Sequence, residues 1–551
     1  MEREVEVLSI DPQSLAEFET WLRAHGAHFP KLGFQGDISN MGGGVVATSS
    51  IDPNEPLASV PLKLCMTLAK AFEAYPFFQS LFSPSHPKGV SRTSILAVYL
   101  ALESLNPSSF YRPYLDTLPR NSWNMSQMAG ADLKWWFKGT NLGEGVVEER
   151  LEILRQDFKW ISEILVKENL WDPRLEWDLF LWANFMVSSR AFPQNVLFPD
   201  EGLGPSEMMV PLLDMFNHNF GQKIIWQGRD GNVEFISNDT IKAGEQVYNN
   251  YGGKSNEELL LGYGFCIEDN PLDYVAVKLN FSGPAAASQR DSILKRHGLP
   301  LRHFLRRQGD LPSELLASLR ILVANDMELA SSDMNIEFIG PRNELAMLST
   351  LSDLLKRKLL AIRNGGIDLP TPTSRWQHYA KWYRRGQELV LLHSVEQLQR
   401  LQRKAMKDLR DIVGVDEQQD PLLCILNGMN EDAVFRNTVL QLFGDSWSEQ
   451  EEVCMMLLLI WERKKKASLW SEFLIEAGKG YERYDDPDLQ EIYEDLASDL
   501  ELLFSMPVAF ADFQWAAKVL DDCGATISMP GEPGAPRFCI VPLSRSKPAA
   551  G

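Results

Sequence analysis

Residues 244–265 read GEQVYNNYGGKSNEELLLGYGF. A β-type run, Glu245–Tyr248, leads into Asn249, Asn250 and Tyr251. The glycine pair 252–253 makes a turn, since glycine alone adopts left-handed backbone without cost. The stretch after Ser255 has helical spacing, and Tyr263, Gly264 and Phe265 close the segment with a second aromatic cluster. Tyrosines this dense fit a core in which each hydroxyl has a partner. Taken singly, the segment is a soft signal.

Three upstream segments bear on its reading. Val210–Asn219 (VPLLDMFNHN) is an apolar strand running into Asp214, Asn217 and His218; a lone histidine there reads first as a hydrogen-bonded structural residue. Ser188, Ser189 and Arg190 end a helical pattern, where an arginine suits a carboxylate, a phosphate or a surface ion pair. Met41, Gly42, Gly43 and Gly44 enter the β run Gly44–Ala47, so the backbone can approach a ligand closely or simply turn. The glycines lack the spacing of a dinucleotide fingerprint. No histidine, cysteine or carboxylate set has metal-ligand spacing, so no metal site is expected.

The rest of the first half alternates β-type runs (Leu57–Pro61, Val233–Ile236) with helical stretches (Ser94–Ser104, Val146–Glu168, Trp177–Ser189). This reads as a helical block of about 70–180 inserted into a small β domain. From residue 285 the texture is helical over Leu311–Ala330, Asn343–Arg363 and Ser374–Ile412. Residues 413–551 form a third block with a faint internal echo. Segment 81–115 resembles 442–474, and 180–214 resembles 513–544 in the same order; a degenerate partial repeat and simple convergence both account for this.

The chain has 551 residues, 44% of them apolar, with 54 Lys and Arg against 75 Asp and Glu and a net charge of −21. At about 150 residues per domain, three to four domains are expected. A surface this acidic disfavours nucleic acid and suits a basic protein partner. Six scattered cysteines suit a reducing compartment better than a disulfide framework. The N-terminus has no signal-peptide pattern, and the longest apolar run, Val453–Trp461, is too short for a bilayer. A soluble, intracellular monomer is expected, cytoplasmic or nuclear, with no membrane contact.

Taken in order, GGGVVA, SSRAF, LLDMFNHN and YNNYGG-KSNEELLLGYGF resemble the successive motifs of SET-domain methyltransferases. The likeness is to the branch of the Rubisco large-subunit methyltransferase and the fungal ribosomal lysine methyltransferases. The fold it implies is α+β. A β-rich SET domain of small sheets, with a pseudoknot and a helical insertion, would span 1–280. An all-α substrate-binding domain would follow over 285–412, including Tyr383–Leu389, and 413–551 would be an extension of unknown role. The resemblance implies S-adenosyl-L-methionine as cofactor. Met41 and Gly42–Gly44 would face its methionine end, although the family more often has a side chain between two glycines. Arg190 would pair with its carboxylate, with Ser189 and Asp214 in the same pocket. Asn217 and His218 would hold the adenine and amino groups, and Phe265 would stack on the adenine. Tyr251 matches the catalytic tyrosine, while Tyr263 and Ser188 would border the substrate lysine.

The chemistry is coherent with these residue types. A lysine amine titrates near ~10.4 and must shed a proton and its water before it attacks. An aromatic channel desolvates it and lowers that pKa. Tyr251 serves as an orienting group rather than a strong base, because a free phenol near ~10 stays protonated at neutral pH. The resemblance thus implies a protein-lysine N-methyltransferase with a basic, preferably ribosomal, protein substrate. A protein-histidine methyltransferase and a non-catalytic peptide-binding protein are the alternatives.

Overall fold

The computed structural model describes residues 9–38, 42–82, 89–120, 134–198, 206–280, 284–330, 335–416, 420, 422–465, 470, 473–474, 487–504, 507–527 and 537–541. Met41 and residues 83–88 of the sequence echo therefore lie outside the described residues. The chain forms two compact units, one of 1–273 with 361–388 and one of 274–360 with 389–551.

Among its described residues the first unit holds nine strands: β1 (Leu32–Gln35), β2 (Gly44–Ala47), β3 (Pro56–Pro61), β4 (Met66–Thr67), β5 (Ala191–Pro193), β6 (Glu207–Met209), β7 (Ile224–Arg229), β8 (Asn232–Ser237) and β9 (Gln246–Val247). They form three antiparallel three-stranded sheets, ordered β1-β2-β9, β3-β8-β7 and β4-β6-β5. Their shortness follows from the sequence punctuation. In the β7–β8 hairpin, Arg229 pairs with Asn232 across Asp230 and Gly231, at φ 49° and 72°. Two central residues at positive φ make the primed turn that matches strand twist.

Helices Arg92–Leu105 and Trp177–Arg190 pack on one another above β4-β6-β5. Ser91 caps the first by accepting from the Ser94 amide, and Ser94 Oγ donates to Asp157 of helix Val146–Lys167 at 2.7 Å. Phe180, Ala183, Val187, Ile95, Leu96 and Val98 are among their buried side chains. Phe180 is fully buried; on the scale of measured Phe→Ala core truncations its loss would cost about 3–5 kcal/mol.

The helical interval 375–388 also belongs to this unit. Tyr383 donates to buried Glu257 at 2.7 Å. Arg384 donates to the carbonyls of Trp136 and Lys138 and, closest of all, Ile362. A Cβ on Gly386 would overlap the Asp273 carboxylate, so only glycine lets this helix approach. These contacts give the Tyr383–Leu389 run its physical reason.

The second unit pairs β10 (Tyr274–Lys278) with β11 (Arg302–Arg306), so a strand interrupts the stretch expected to be wholly helical. The single helical pattern expected over Leu311–Ala330 is two helices, Ser313–Val323 and Asp326–Leu329. Asn325 breaks it by capping the second, in a reciprocal box with Glu328. The unit ends in a sheet ordered β12-β14-β13, from β12 (Leu423–Cys424), β13 (Gly524–Ile527) and β14 (Arg537–Ile540). Register sets Cys424 opposite Cys539, their Cα atoms 4.5 Å apart, and the two form a disulfide. This departs from the expectation of six free thiols, because strand pairing across 115 residues is invisible in spacing. Among the described residues no helix is long and apolar enough to cross a membrane.

Candidate active site

The segment 244–265 folds as its punctuation suggests. Ser255 caps helix Asn256–Tyr263, accepting from the Glu258 amide while the Glu258 carboxylate accepts from the Ser255 amide. Gly264, at φ 73°, ends it and frees Phe265 to turn. The buried Asn256 is a hub: its amide and Nδ2 donate to Asp273, and its side chain bonds Ile267 in both directions. The strand before the helix is brought to the Asn217 segment by a parallel bridge between His218 and Asn249. There the Asn219 amide donates to the Asn249 carbonyl at 2.9 Å, and the Asn249 amide to the Asn217 carbonyl at 2.8 Å.

A cavity of about 360 Å³ opens at that junction, in the size range of small-molecule sites. Of the residues singled out in the sequence, Gly42, Gly43, Ser189, Arg190, Asp214, Asn217, His218, Tyr251, Tyr263 and Phe265 line it. Gly44 stands just behind the wall. A Cβ there would sit 2.7 Å from Ile38 and 2.9 Å from the Asn217 amide nitrogen. Ser188 is not among the residues that line it. At 100° per residue, Phe185, Met186, Ser189 and Arg190 share one arc of their helix while Ser188 points off it. Its hydroxyl donates back to the Phe185 carbonyl instead.

The cavity has a charged end and an aromatic end. At the first, Arg190 donates to the Asp214 carbonyl at 2.9 Å and lies 3.6 Å from its carboxylate, which also accepts from Tyr114 at 2.7 Å. Burial pushes the Asp214 carboxyl up despite these partners. Its second oxygen is buried with no partner in the protein. Asn217 Nδ2 donates to the Gly43 carbonyl at 3.4 Å, tying the glycine turn to this end.

At the other end, the Tyr251 ring stacks on His218 at 4.9 Å and on Tyr263 at 4.7 Å. Its hydroxyl donates to the Phe216 carbonyl at 2.9 Å, and its amide to His218 Nδ1 at 3.1 Å. Nδ1 therefore carries a lone pair. Burial, then the Lys254 charge, pulls the His218 pKa down and keeps the ring neutral. Burial raises both phenols, Tyr263 to about 12, so both stay protonated across the physiological range.

Sequence reasoning missed part of the wall. Arg375, Trp376 and Tyr379, from the helix beyond residue 374, face the cavity with Cys266 and Ile267. Trp376 and Tyr379 meet edge to face at 5.6 Å. They lie over a hundred residues beyond the motifs, and their spacing reads as an ordinary amphipathic face. Among the described residues no group of three or more His, Cys, Asp or Glu could hold a metal ion.

Residues 42–252 match the SET domain family profile, and 284–364 match the Rubisco LSMT substrate-binding profile. The ribosomal lysine N-methyltransferase set10 of Schizosaccharomyces pombe is 29% identical over 372 residues, 64% of this chain and 65% of that protein. The actin-histidine N-methyltransferase of Gallus gallus is 29% identical over 325 residues, 57% of this chain and 53% of that protein. The chain thus spans between half and two thirds of the length of these relatives. A crystal structure of the LSMT SET domain bound to lysine and AdoHcy matches 72% of this chain and 93% of its own, at TM-score 0.60 and 19% identity. Rubisco LSMT bound to AdoMet matches 72% of this chain and 93% of its own, at 0.59 and 21%. The fold is therefore shared with these proteins, and the chain carries a SET domain match over 42–252 followed by a Rubisco LSMT substrate-binding match over 284–364.

Proposed function

We propose that this chain transfers a methyl group from S-adenosyl-L-methionine to a lysine of a basic protein, a ribosomal protein being the favoured client. The observation that carries the reading is the cavity. It joins an arginine–aspartate end, a glycine turn and a stacked tyrosine pair in one wall. The residues fit the cofactor. A Cβ on Gly43 would press on Ile10 and one on Gly44 on Ile38 and Asn217, so glycine lets this wall pack as it does, and the unpartnered Asp214 oxygen offers an acceptor. Arg190 would hold a carboxylate, Asn217 and His218 the polar groups beside it, and Phe265 a flat ring. When bound, the cofactor supplies a methyl already activated by a positively charged sulfur.

The protein's part is to present the amine. The Tyr251–Tyr263 stack replaces water around it with aromatic faces, which disfavours the ammonium form. The Tyr251 proton is committed to the Phe216 carbonyl, so its oxygen lone pairs point elsewhere and can accept polarised C–H groups. Orienting the reactants in this way can recover roughly 7–11 kcal/mol of barrier. The net charge of −21 favours a cationic client, and cytoplasm or nucleus is the proposed location. Histidine is the second reading, supported by the actin-histidine relatives at 28–29% identity. Labelling a cell extract with methyl-labelled S-adenosylmethionine and mapping the modified residue by mass spectrometry tests both. Label on lysine supports the proposal, label on histidine selects the second reading, and no label removes both.

Two substitutions probe the wall. In Gly44→Ala the new methyl group must displace the Asn217 amide, so cofactor affinity should fall about tenfold with the fold retained. Calorimetry with S-adenosylmethionine reads it; unchanged affinity would show that Asn217 does not need its present position. In Trp376→Ala the cavity loses one apolar wall, worth about 1 kcal/mol, or about fivefold in affinity. An unaffected dissociation constant would place Trp376 off the binding surface.

A further inference from the structure

The sheet β12-β14-β13 and the helices above it repeat the main elements of a part of the first unit in the same order, with one added helix, Ala433–Phe443. In both, a two-residue strand (Met66–Thr67, Leu423–Cys424) runs straight into a seven-residue helix (Leu68–Ala74, Ile425–Glu431). A 14-residue helix follows (Arg92–Leu105, Glu451–Lys464), then a long one (Val146–Lys167, Pro487–Phe504). A second 14-residue helix (Trp177–Arg190, Phe510–Cys523) packs on the first and passes without a linker into a strand. The last strand, β6 or β14, then inserts between the other two, antiparallel to both.

The register agrees to the residue. Met66, Met209 and Ala191 form one row of the first sheet, as Leu423, Ile540 and Gly524 do in the second. The next row, Thr67, Met208 and Phe192, corresponds to Cys424, Cys539 and Ala525. This alignment pairs Val210-Pro211-Leu212 with Val541-Pro542-Leu543 in sequence. It also matches buried side chains: Phe180 with Phe513, Trp182 with Trp515, Ala183 with Ala516, Leu115 with Leu474. A helix pair over a sheet is a common solution, but packing alone does not fix register, helix length and aromatic placement together, since a one-residue slip reverses every strand face.

The ligand end differs. Ser189 and Arg190 correspond to Asp522 and Cys523, and Asp522 accepts from Lys518 within its own helix. The junction is closed from the side. Asn325 Nδ2 donates to the carbonyls of Asp521 and Asp522 at 3.0 and 3.1 Å. Arg342 donates to the Gly524 carbonyl at 3.1 Å while Glu328 grips its guanidinium at 2.9 and 2.7 Å. Donors placed at a helix C-terminus satisfy its last carbonyls and its dipole.

We propose that residues 422–541 are a second copy of the module 65–210, with its ligand end plugged by Asn325 and Arg342. The copy has become a brace for the helical domain and binds no cofactor. The inference rests on the two modules alone and goes beyond the methyl-transfer reading. Hydrogen exchange of the full chain, followed by mass spectrometry, tests it. In Arg342→Met, amides of 510–527 and 537–541 should exchange about tenfold faster, while those of 177–193 change less than twofold. Asn325→Ala gives a milder version of the same pattern if Arg342→Met does not fold. Unchanged exchange at 510–541 in both variants would overturn the brace. S-adenosylmethionine should slow exchange at 510–541 in no case; protection there would overturn the loss of ligand binding. Absent protection at 177–219 as well would instead count against the methyl-transfer reading.

Discussion

Replacing Tyr251 with phenylalanine should lower the rate of methyl transfer about 100-fold while changing the dissociation constant of S-adenosylmethionine less than threefold. The ring is held by two stacks, on His218 and Tyr263, and by the Tyr251 amide on His218. None of these uses the hydroxyl, so the phenylalanine ring keeps its place. The substitution removes one oxygen of a residue on the cavity wall, whose proton goes to the Phe216 carbonyl. An effect confined to turnover means that this oxygen acts when the methyl moves. Equal losses in binding and turnover would make it a binding group. An unimpaired variant would remove Tyr251 from the chemistry. Tyr263→Phe is the control, since its ring supplies the same stack and its hydroxyl is not assigned to the transfer.

How far the sequence disclosed this site follows from distance along the chain. Ser255 and Glu258 announce their helix because a capping box is local, and Gly264 announces its end for the same reason. Gly42–Gly44, Asn217 and Tyr251 were legible as motifs, although the bridge that joins the last two is a tertiary fact. Ser188 and Ser189 look alike in sequence, while a 100° step per residue puts only Ser189 on the cavity wall. Tyr114 was overlooked although it holds Asp214, since a buried tyrosine a hundred residues upstream carries no sign of its partner. Arg375 and Trp376 were hidden likewise. The disulfide depends on a strand register that spacing cannot encode. The repeat, conversely, shows in sequence as a faint echo, 81–115 against 442–474 and 180–214 against 513–544, because a core preserves size and burial more strictly than identity.

Arg190→Met should weaken S-adenosylmethionine binding by about 10- to 100-fold, the loss expected for a hydrogen bond to a charged group. Methionine keeps the apolar stem and removes the guanidinium. Asp214, whose side chain is fully buried, then loses the cation 3.6 Å from its carboxylate and retains only the Tyr114 hydroxyl. Burial already raises the Asp214 pKa, and without Arg190 it should rise further. The sign follows from linkage: a carboxyl whose folded pKa lies above its unfolded value binds the proton more tightly when folded. Its stabilising contribution is then present in acid and lost as pH rises through the folded pKa. The variant's unfolding midpoint should therefore fall furthest below that of the parent near pH 8 and approach it near pH 5. Asp214→Asn added to Arg190→Met removes the uncompensated charge. It should restore the midpoint at pH 8 and leave the cofactor unbound. Recovery of binding in the double variant would show that Arg190 acts only by holding Asp214. A stability gap that does not depend on pH would mean that Arg190 contributes packing rather than charge.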